Sequence, residues 1–161
     1  MEKAMFGAGC FWGVESAFRQ IPGVQDVACG YSGGRLAHPS YQDVCYKDTG
    51  HAEVVLVDFN PQQVSYEALV DFFFQMHDPT TLNRQGPDVG DQYRSAIFYY
   101  SPEQARTAQA AKERWDRSGV YSRPIVTQIE AAREFWRAEE YHQQYFARRG
   151  MQPTCHVARK P

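Results

Sequence analysis

The chain has 161 residues, which is enough for a single domain with a sizeable hydrophobic core. Its 19 Asp and Glu residues slightly outnumber its 17 Lys and Arg residues, and this balance argues against a nucleic-acid-binding protein. No apolar run is long enough to cross a bilayer and no secretory signal is recognisable, so we expect a cytoplasmic protein without a membrane span. Four dispersed cysteines are too few for a disulfide framework, and no coiled coil or apolar surface stripe is evident, so we expect reduced cysteines and a monomer.

The apolar pattern predicts strands that alternate with helices. The run Ala4–Ala8 predicts a buried strand, and apolar residues three and four apart from Val14 onward predict a helix. The later elements, in chain order, are a strand Gly23–Ala28, a glycine-rich turn Gly30–Gly34, a polar irregular stretch 35–51, a strand Ala52–Phe59, a helix from Tyr66 to about Met76 capped by Ser65, a long loop 77–93, a strand Arg94–Tyr100, a helix from Ser101-Pro102-Glu103 to about Arg117, a strand Ile125–Glu130, a helix Ala138–Arg148 and a tail Gly150–Pro161 without periodicity. These elements predict an α+β domain in which helices pack on a mixed or antiparallel sheet.

The segment Gly9-Cys10-Phe11-Trp12-Gly13 lies where the first predicted strand turns into the first helix. Its glycines permit a tight turn, and a helix N-terminus favours negative charge. We therefore expect Cys10 to have a lowered pKa and to be nucleophilic. Phe11 and Trp12 are costly to expose at a helix start unless they form the wall of a pocket. A buried, inert cysteine is the alternative at this point.

A dinucleotide fingerprint is a second interpretation of the same segment. Gly7, Gly9 and Gly13 follow a strand in the pattern G-x-G-x-x-x-G. Phe11 and Trp12 would crowd the pyrophosphate, however, and no acidic residue ends the next strand. The sequence therefore disfavours nucleotide binding.

A metal site is also disfavoured. His51-Ala52-Glu53 matches the H-x-E half of a zinc deaminase, but the P-C-x-x-C half is absent. The remaining histidines show no metal-ligand spacing. We therefore expect no metal ion.

The two long polar stretches carry five residues that are suited to acid–base chemistry: Tyr41, His51, Glu53, Asp88 and Tyr93. Glu53 opens a strand that we expect to be buried, and burial would raise its pKa and keep it protonated at pH 7. A surface glutamate at the strand end is the alternative. The two tyrosine hydroxyls are suited to holding a polar oxygen, although each tyrosine could equally be a core residue.

The tail carries a second reactive candidate, Cys155. A thiol on a mobile tail can reach another thiol, so Cys10 and Cys155 have the properties of an attacking and a resolving cysteine. Cys29 lies in a predicted strand and Cys45 precedes the Glu53 strand. For both of these we expect inert packing.

Seven blocks of this sequence, in this order, resemble the A-type peptide methionine sulfoxide reductases, and they cover residues 4 to 156. They are Gly9-Cys10-Phe11-Trp12-Gly13, Gly30-Tyr31-Ser32-Gly33-Gly34, Tyr41-Gln42-Asp43-Val44-Cys45, Thr49-Gly50-His51-Ala52-Glu53, His77-Asp78-Pro79, Gln92-Tyr93-Arg94-Ser95 and His142-Gln143-Gln144-Tyr145. The combination is highly specific for that family.

The resemblance implies a two-layer α/β sandwich with a ferredoxin-like core in a single catalytic domain, residues 1–161. Residues 150–161 would form an irregular, flexible tail that carries the resolving cysteine. The implied reaction is reduction of the S-epimer of methionine sulfoxide, free or in proteins, to methionine. The family uses no metal or organic cofactor, and its reductant is thioredoxin.

By resemblance, the site residues divide into catalytic and substrate-binding groups. They are Cys10 as nucleophile, Glu53 as acid, Cys155 as resolving cysteine, Phe11 and Trp12 as the apolar wall for the substrate's methyl group, Tyr41 and Tyr93 as donors around the sulfoxide oxygen, and Asp88 as a further polar residue of the site.

The implied cycle passes through a sulfenic acid on Cys10 and a disulfide between Cys10 and Cys155. Longer relatives carry a second recycling cysteine, but no cysteine follows Cys155 here, so we expect a single disulfide.

Two alternative functions would use the same thiols: a redox-sensing module without a sulfoxide pocket, and a thiol peroxidase.

Overall fold

The computed structural model of the protein describes residues 1–149, which form a six-stranded sheet, a small separate hairpin and five helices. The strands of the main sheet are β1 (Glu2–Ala8), β2 (Val24–Ser32), β3 (Ala52–Phe59), β6 (Ser95–Tyr99), β7 (Gln128–Ala131) and β8 (Trp136–Arg137). The hairpin strands are β4 (Arg84–Gln85) and β5 (Asp88–Val89), and the helices are α1 (Phe11–Arg19), α2 (Tyr41–Tyr46), α3 (Tyr66–Met76), α4 (Pro102–Arg117) and α5 (Tyr145–Arg148).

The strand order across the main sheet is β7-β6-β1-β3-β2-β8. The pair β6–β7 is parallel and every other pair is antiparallel, so the sheet is mixed. The four central strands and the helices α1 and α3 follow one another as β-α-β-β-α-β, which is the ferredoxin-like arrangement. The expected α+β fold with this core is confirmed.

The helices pack on one face of the sheet because alternate strand residues point to that face. On β3 these are Val55, Val57 and Phe59, all fully buried in the main core. Met5, Val54 and Phe98 point to the other face and form a smaller cluster against residues 132–135. A residue at position 53 therefore lies on the helix-covered face.

Two predicted boundaries near residues 30–50 were wrong. The glycine-rich turn from Gly30 is instead a continuation of β2 to Ser32. Glycine is required at position 30 for space, because a Cβ there would overlap the ring of Phe135. The stretch expected to be irregular contains α2, which begins with a capping box between Ser40 and Asp43.

The predicted helix Ala138–Arg148 was also largely wrong. It is replaced by a 3-10 turn (Glu140–His142) and the short α5, with Gln144 at φ 53° between them. The amide of Gln143 bonds to both the N–H and the C=O of Cys29, at 2.8 and 2.9 Å, and so pins this segment to β2. The predicted loop 77–93 contains the β4–β5 hairpin.

Residues 150–161, including Cys155, lie outside the described residues. Among residues 1–149, no helix has both the length and the apolar character to cross a membrane.

Candidate active site

Cys10 lies in the turn between β1 and α1, where it is the residue that caps the helix N-terminus. Gly9 has a φ of 96°, a backbone conformation that strongly favours glycine, so the sharp turn depends on it. Cys10 is partly exposed, and its carbonyl accepts a hydrogen bond from the N–H of Val14 at 3.4 Å. The thiol is thus accessible at the start of a helix.

Glu53 is the second residue of β3 and is only 2% exposed, so its expected burial is confirmed. Its Oε1 accepts a hydrogen bond from the backbone N–H of Phe11 at 3.2 Å, which brings the carboxyl to the residue after Cys10. Its Oε2 is buried without a hydrogen-bond partner among the described residues. Burial raises the pKa of Glu53 to about 8, with a smaller contribution from the charge of Asp88 and opposition from the Phe11 N–H. The carboxyl therefore carries a proton at neutral pH and has one oxygen unused.

Tyr41 and Tyr93 lie near this carboxyl from two different segments. Tyr41 begins α2, and its side chain lies close enough to Cys45, one turn later, for the thiol to affect its pKa. Tyr93 ends a 3-10 turn, close enough to Glu53, Asp88 and Cys10 for their charges to act on it. Burial raises the pKa of both phenols, so they stay protonated and can donate hydrogen bonds. The structure thus brings both tyrosines and Asp88 together around Glu53.

Two aromatic side chains extend from the first turn of α1. Phe11 is buried in the main core, and Trp12 is partly buried. The indole N–H of Trp12 donates a hydrogen bond to Nδ1 of His142 at 3.0 Å, and its ring stacks on Tyr145 with centroids 3.6 Å apart. These contacts fix the orientation of Trp12 next to Cys10.

Comparisons with known proteins agree on one family. The family described as peptide methionine sulfoxide reductase matches residues 2–161. The peptide methionine sulfoxide reductase MsrA of Acidobacterium capsulatum is 61% identical over 157 residues, which are 98% of this chain and 100% of that protein. The MsrA of Methanoculleus marisnigri is 62% identical over 150 residues, or 93% of this chain and 92% of its own.

Solved structures give the same answer. Mxr1 from Saccharomyces cerevisiae in reduced form superposes with a TM-score of 0.92 at 37% identity, covering 99% of this chain and 92% of that one. Methionine sulfoxide reductase A of Corynebacterium diphtheriae has a TM-score of 0.88 at 36% identity, covering 94% and 76%. This chain belongs to the peptide methionine sulfoxide reductase family.

Sequence reasoning missed His142 as a residue of this reductase's site. Its ring is fully buried and packs on Phe11 and Tyr41, with centroid distances of 5.1 and 4.6 Å. Because an indole N–H only donates, Nδ1 of His142 is unprotonated, and burial lowers the pKa of the ring. His142 is therefore a neutral scaffold for Trp12. Its partners are over 100 residues away in sequence, and only the block His142–Tyr145 marked it.

Glu139 is a second residue that the sequence did not reveal. Its Oε2 accepts the backbone N–H of Tyr41 at 3.1 Å and its Oε1 accepts the hydroxyl of Tyr31 at 3.0 Å. Burial raises the pKa of Glu139, but these hydrogen bonds outweigh burial and lower it overall. Glu139 is thus an ionised anchor that positions the start of α2 in the reductase.

The surroundings of the remaining candidate residues, His51, Cys29 and Cys45, indicate structural roles in the reductase. Nδ1 of His51 accepts the N–H of Gly34 at 3.0 Å, and Nε2 lies 2.7 Å from the carbonyl oxygen of Leu36, so this buried ring holds a loop. Cys29 is fully buried, and burial raises its pKa well above the usual value. Burial also raises the pKa of Cys45. Within residues 1–149, no cluster of three His, Cys, Asp or Glu side chains could hold a metal ion.

Proposed function

We propose that this protein reduces the S-epimer of methionine sulfoxide, free or in proteins, to methionine, and so repairs oxidised proteins. The observation that carries the proposal is the buried carboxyl of Glu53, whose pKa burial raises to about 8. Its Oε2 has no hydrogen-bond partner among the described residues, and its Oε1 bonds to the residue after Cys10. A sulfoxide oxygen is a poor leaving group until it is protonated, so a neutral carboxyl beside a thiol suits this reaction.

In the first step, the Cys10 thiolate attacks the sulfoxide sulfur while Glu53 transfers its proton to the sulfoxide oxygen. Tyr41 and Tyr93 donate hydrogen bonds to that oxygen as its negative charge grows, and Asp88 is a further polar group of the site. The bond between the two sulfurs and the substrate's sulfur–oxygen bond then break as the oxygen, with the proton from Glu53, bonds to the Cys10 sulfur. The sulfoxide is thereby reduced to the thioether by two electrons, and the thiolate is oxidised to a sulfenic acid by the same two.

Phe11 and Trp12 form the apolar wall against which the substrate's methyl group packs. The hydrogen bond from Trp12 to His142 and the stacking on Tyr145 keep this wall rigid before substrate arrives. Because the two epimers differ in how the methyl group, the oxygen and the rest of the methionine side chain are arranged around the sulfur, a rigid wall opposite an acid favours one epimer.

In the second step, the Cys155 thiol attacks the Cys10 sulfenic acid, a sulfur–sulfur bond forms, and the hydroxyl leaves as water. The assignment of Cys155 rests on its match to the family's resolving cysteine. We propose a cycle with a single disulfide, between Cys10 and Cys155. Thioredoxin then reduces the disulfide. This reductant is supported by a structure of Mxr1 from Saccharomyces cerevisiae in complex with Trx2. The Mxr1 in that complex is 28% identical to this chain, with a TM-score of 0.66, covering 99% of this chain and 90% of its own.

We further propose that the protein acts as a monomer in the cytoplasm, where thioredoxin keeps thiols reduced.

Chiral analysis of racemic methionine sulfoxide, incubated with the enzyme and dithiothreitol, tests this function. We expect the S-epimer alone to disappear, and neither epimer to be consumed by the Cys10→Ser variant. Survival of both epimers with the wild-type protein would contradict the proposal and favour the redox-sensing module. Peroxide turnover much faster than sulfoxide turnover would instead favour a thiol peroxidase.

A further inference from the structure

The proposed mechanism leaves one buried carboxyl unused, that of Glu15 on α1. It is only 1% exposed, and its Oε2 accepts the backbone N–H of Gln144 at 2.9 Å. Burial raises the pKa of this carboxyl, and the N–H groups of Gln144 and Tyr145 are close enough to oppose that rise. The guanidinium of Arg19, one turn later on α1, lies 3.4 Å from the same oxygen. Glu15 therefore joins the first helix to the start of the last one.

These contacts involve backbone groups that α5 cannot pair by itself. The N–H groups at the start of a helix have no partner inside that helix and need one from elsewhere. Gln144, the residue before α5, has a φ of 53°, and its side chain makes no cap. The carboxyl of Glu15 takes the place of that cap from another helix, so it fixes the backbone where α5 begins.

The segment that Glu15 holds supports the apolar wall of the proposed substrate site. The ring of Tyr145 lies parallel to the indole of Trp12, at an interplanar angle of 7° and a centroid distance of 3.6 Å. Trp12 is two residues from Cys10 in the sequence and is only partly buried. Because the two rings are in contact, a shift of the backbone at residue 145 is passed directly to the face of the indole.

Trp12 is held by two restraints of different origin. Its indole N–H donates to Nδ1 of His142 at 3.0 Å, and the side chain of Gln143 pins this segment to β2. Those hydrogen bonds do not involve Glu15. The support on the indole face does, because Tyr145 directly follows the N–H group that Glu15 holds. Loss of Glu15 would therefore loosen the face of the indole while its edge stays bound.

We propose that Glu15 is a positioning residue for the methyl pocket: it fixes the backbone before Tyr145, whose ring then holds Trp12 where the substrate's methyl group packs. The inference rests on the proposed function, because it requires Trp12 to contact the substrate. Glu15 itself touches none of the reacting atoms. It affects how well the pocket distinguishes a methyl group from a larger one, and one methylene in an apolar pocket changes kcat/KM about 10–200-fold.

The variant Glu15→Gln weakens the anchor with little change in volume. A glutamine offers one acceptor oxygen, and its NH₂ group adds a donor that faces other donors. Asp26→Asn is the matched control, because it removes a charge 3.2 Å from the same Arg19 guanidinium. Asp26 is exposed and is not a partner of the Gln144 N–H.

The experiment compares two substrates in assays with dithiothreitol, the S-epimers of methionine sulfoxide and of ethionine sulfoxide, which carries an ethyl group in place of the methyl group. The ratio of their kcat/KM values measures the fit of the pocket and excludes the recycling step, which follows sulfoxide reduction. We expect wild type to prefer methionine sulfoxide by about tenfold or more. In Glu15→Gln we expect this preference to fall about threefold or more, through a higher KM for methionine sulfoxide. We expect Asp26→Asn to keep the wild-type preference.

Tyr145→Ala removes the stacked ring itself and gives an independent measure. We expect a loss of preference at least as large as that of Glu15→Gln. Combining the two changes should add nothing to the loss in Tyr145→Ala, because residues that act through the same contact are not additive. Tyr145 is only partly buried, so its removal tests the inference even if Glu15→Gln does not fold.

Three results would overturn the inference. The first is an unchanged preference in Tyr145→Ala or in folded Glu15→Gln protein. The second is an equal fall of kcat/KM for both substrates, as a purely structural role predicts. The third is additive losses in the double variant, because Glu15 would then not act through Tyr145. Failure of the wild-type protein to reduce either sulfoxide would instead refute the proposed function.

Discussion

Two glutamates, Glu15 within the first helix and Glu53 on β3 beside its start, are buried to similar extents, at 1% and 2% exposure, but their surroundings differ. Glu53 has one hydrogen-bond donor, the Phe11 N–H, and burial raises its pKa to about 8. Burial also raises the pKa of Glu15, but Arg19 and two backbone N–H groups oppose it. The number of donors, not the depth of burial, separates a carboxyl that can give a proton from one that anchors a helix.

The largest effects separate the two steps of the proposed cycle. We expect Cys10→Ser to abolish methionine formation, because no nucleophile remains. We expect Cys155→Ser to release about one methionine per enzyme and then to stop, even with thioredoxin present, because the sulfenic acid is not resolved. Burst and steady-state measurements check both. Sustained thioredoxin-linked turnover by Cys155→Ser would contradict the resolving role of Cys155.

The next largest effect concerns Glu53, the proposed general acid. We expect Glu53→Gln to slow single-turnover methionine release by tenfold or more, since general-acid catalysis contributes about 10²–10⁴-fold and an amide is a far weaker acid. Glu15→Gln is the matched control, because it makes the same change at the other buried carboxyl. Equal losses in the two variants would contradict the division of roles.

The pH dependence of methionine release distinguishes Glu53 from Glu15 further. A carboxyl with a pKa of about 8 is protonated below that pH, so we expect the rate to fall as pH rises through about 8. The pKa values of Tyr41 and Tyr93 are raised far above this range, so the phenols do not contribute to the fall. Glu53→Gln should lack this alkaline limb while Glu15→Gln retains it. An alkaline limb that persists in Glu53→Gln would assign it to another group.

We expect Glu53→Gln and Glu15→Gln to change the free energy of unfolding by smaller amounts and in opposite directions. The pKa of Glu53 rises from 4.5 to about 8 on folding, so the folded state binds more protons between these values and its stability falls as pH rises across them. Glutamine does not titrate, so we expect Glu53→Gln to gain about 4 kcal/mol relative to wild type between pH 4 and pH 9. Glu15→Gln leaves buried donors unpaired and loses about 1–3 kcal/mol. Urea unfolding at several pH values measures both, and a loss of stability in Glu53→Gln that grows with pH would contradict this account.

Local patterns were sufficient to predict much of the fold. The strand Ala52–Phe59 and the helix Tyr66–Met76 were correct to the residue, because alternation, apolar spacing and the Ser65 cap are local signals. Such signals also placed Cys10 at a helix start and Glu53 in a buried strand.

Contacts between distant residues explain the failures. The segment after Ala138 has helical apolar spacing, but the amide of Gln143 bonds to Cys29, more than 100 residues earlier, and prevents a continuous helix. The role of His142 could not be predicted for the same reason, since its partner Trp12 is at the other end of the chain. Periodicity contains no information on such pairs.

A titration of the Glu53 carboxyl tests most directly whether this residue supplies the proton. Infrared difference spectra of the wild-type protein against Glu53→Gln isolate the carbonyl band of this one protonated group. We expect the band to be present at pH 7 and to disappear with a pKa of about 8. A carboxyl that is already ionised at pH 6 would contradict the claim that Glu53 supplies the proton to the sulfoxide.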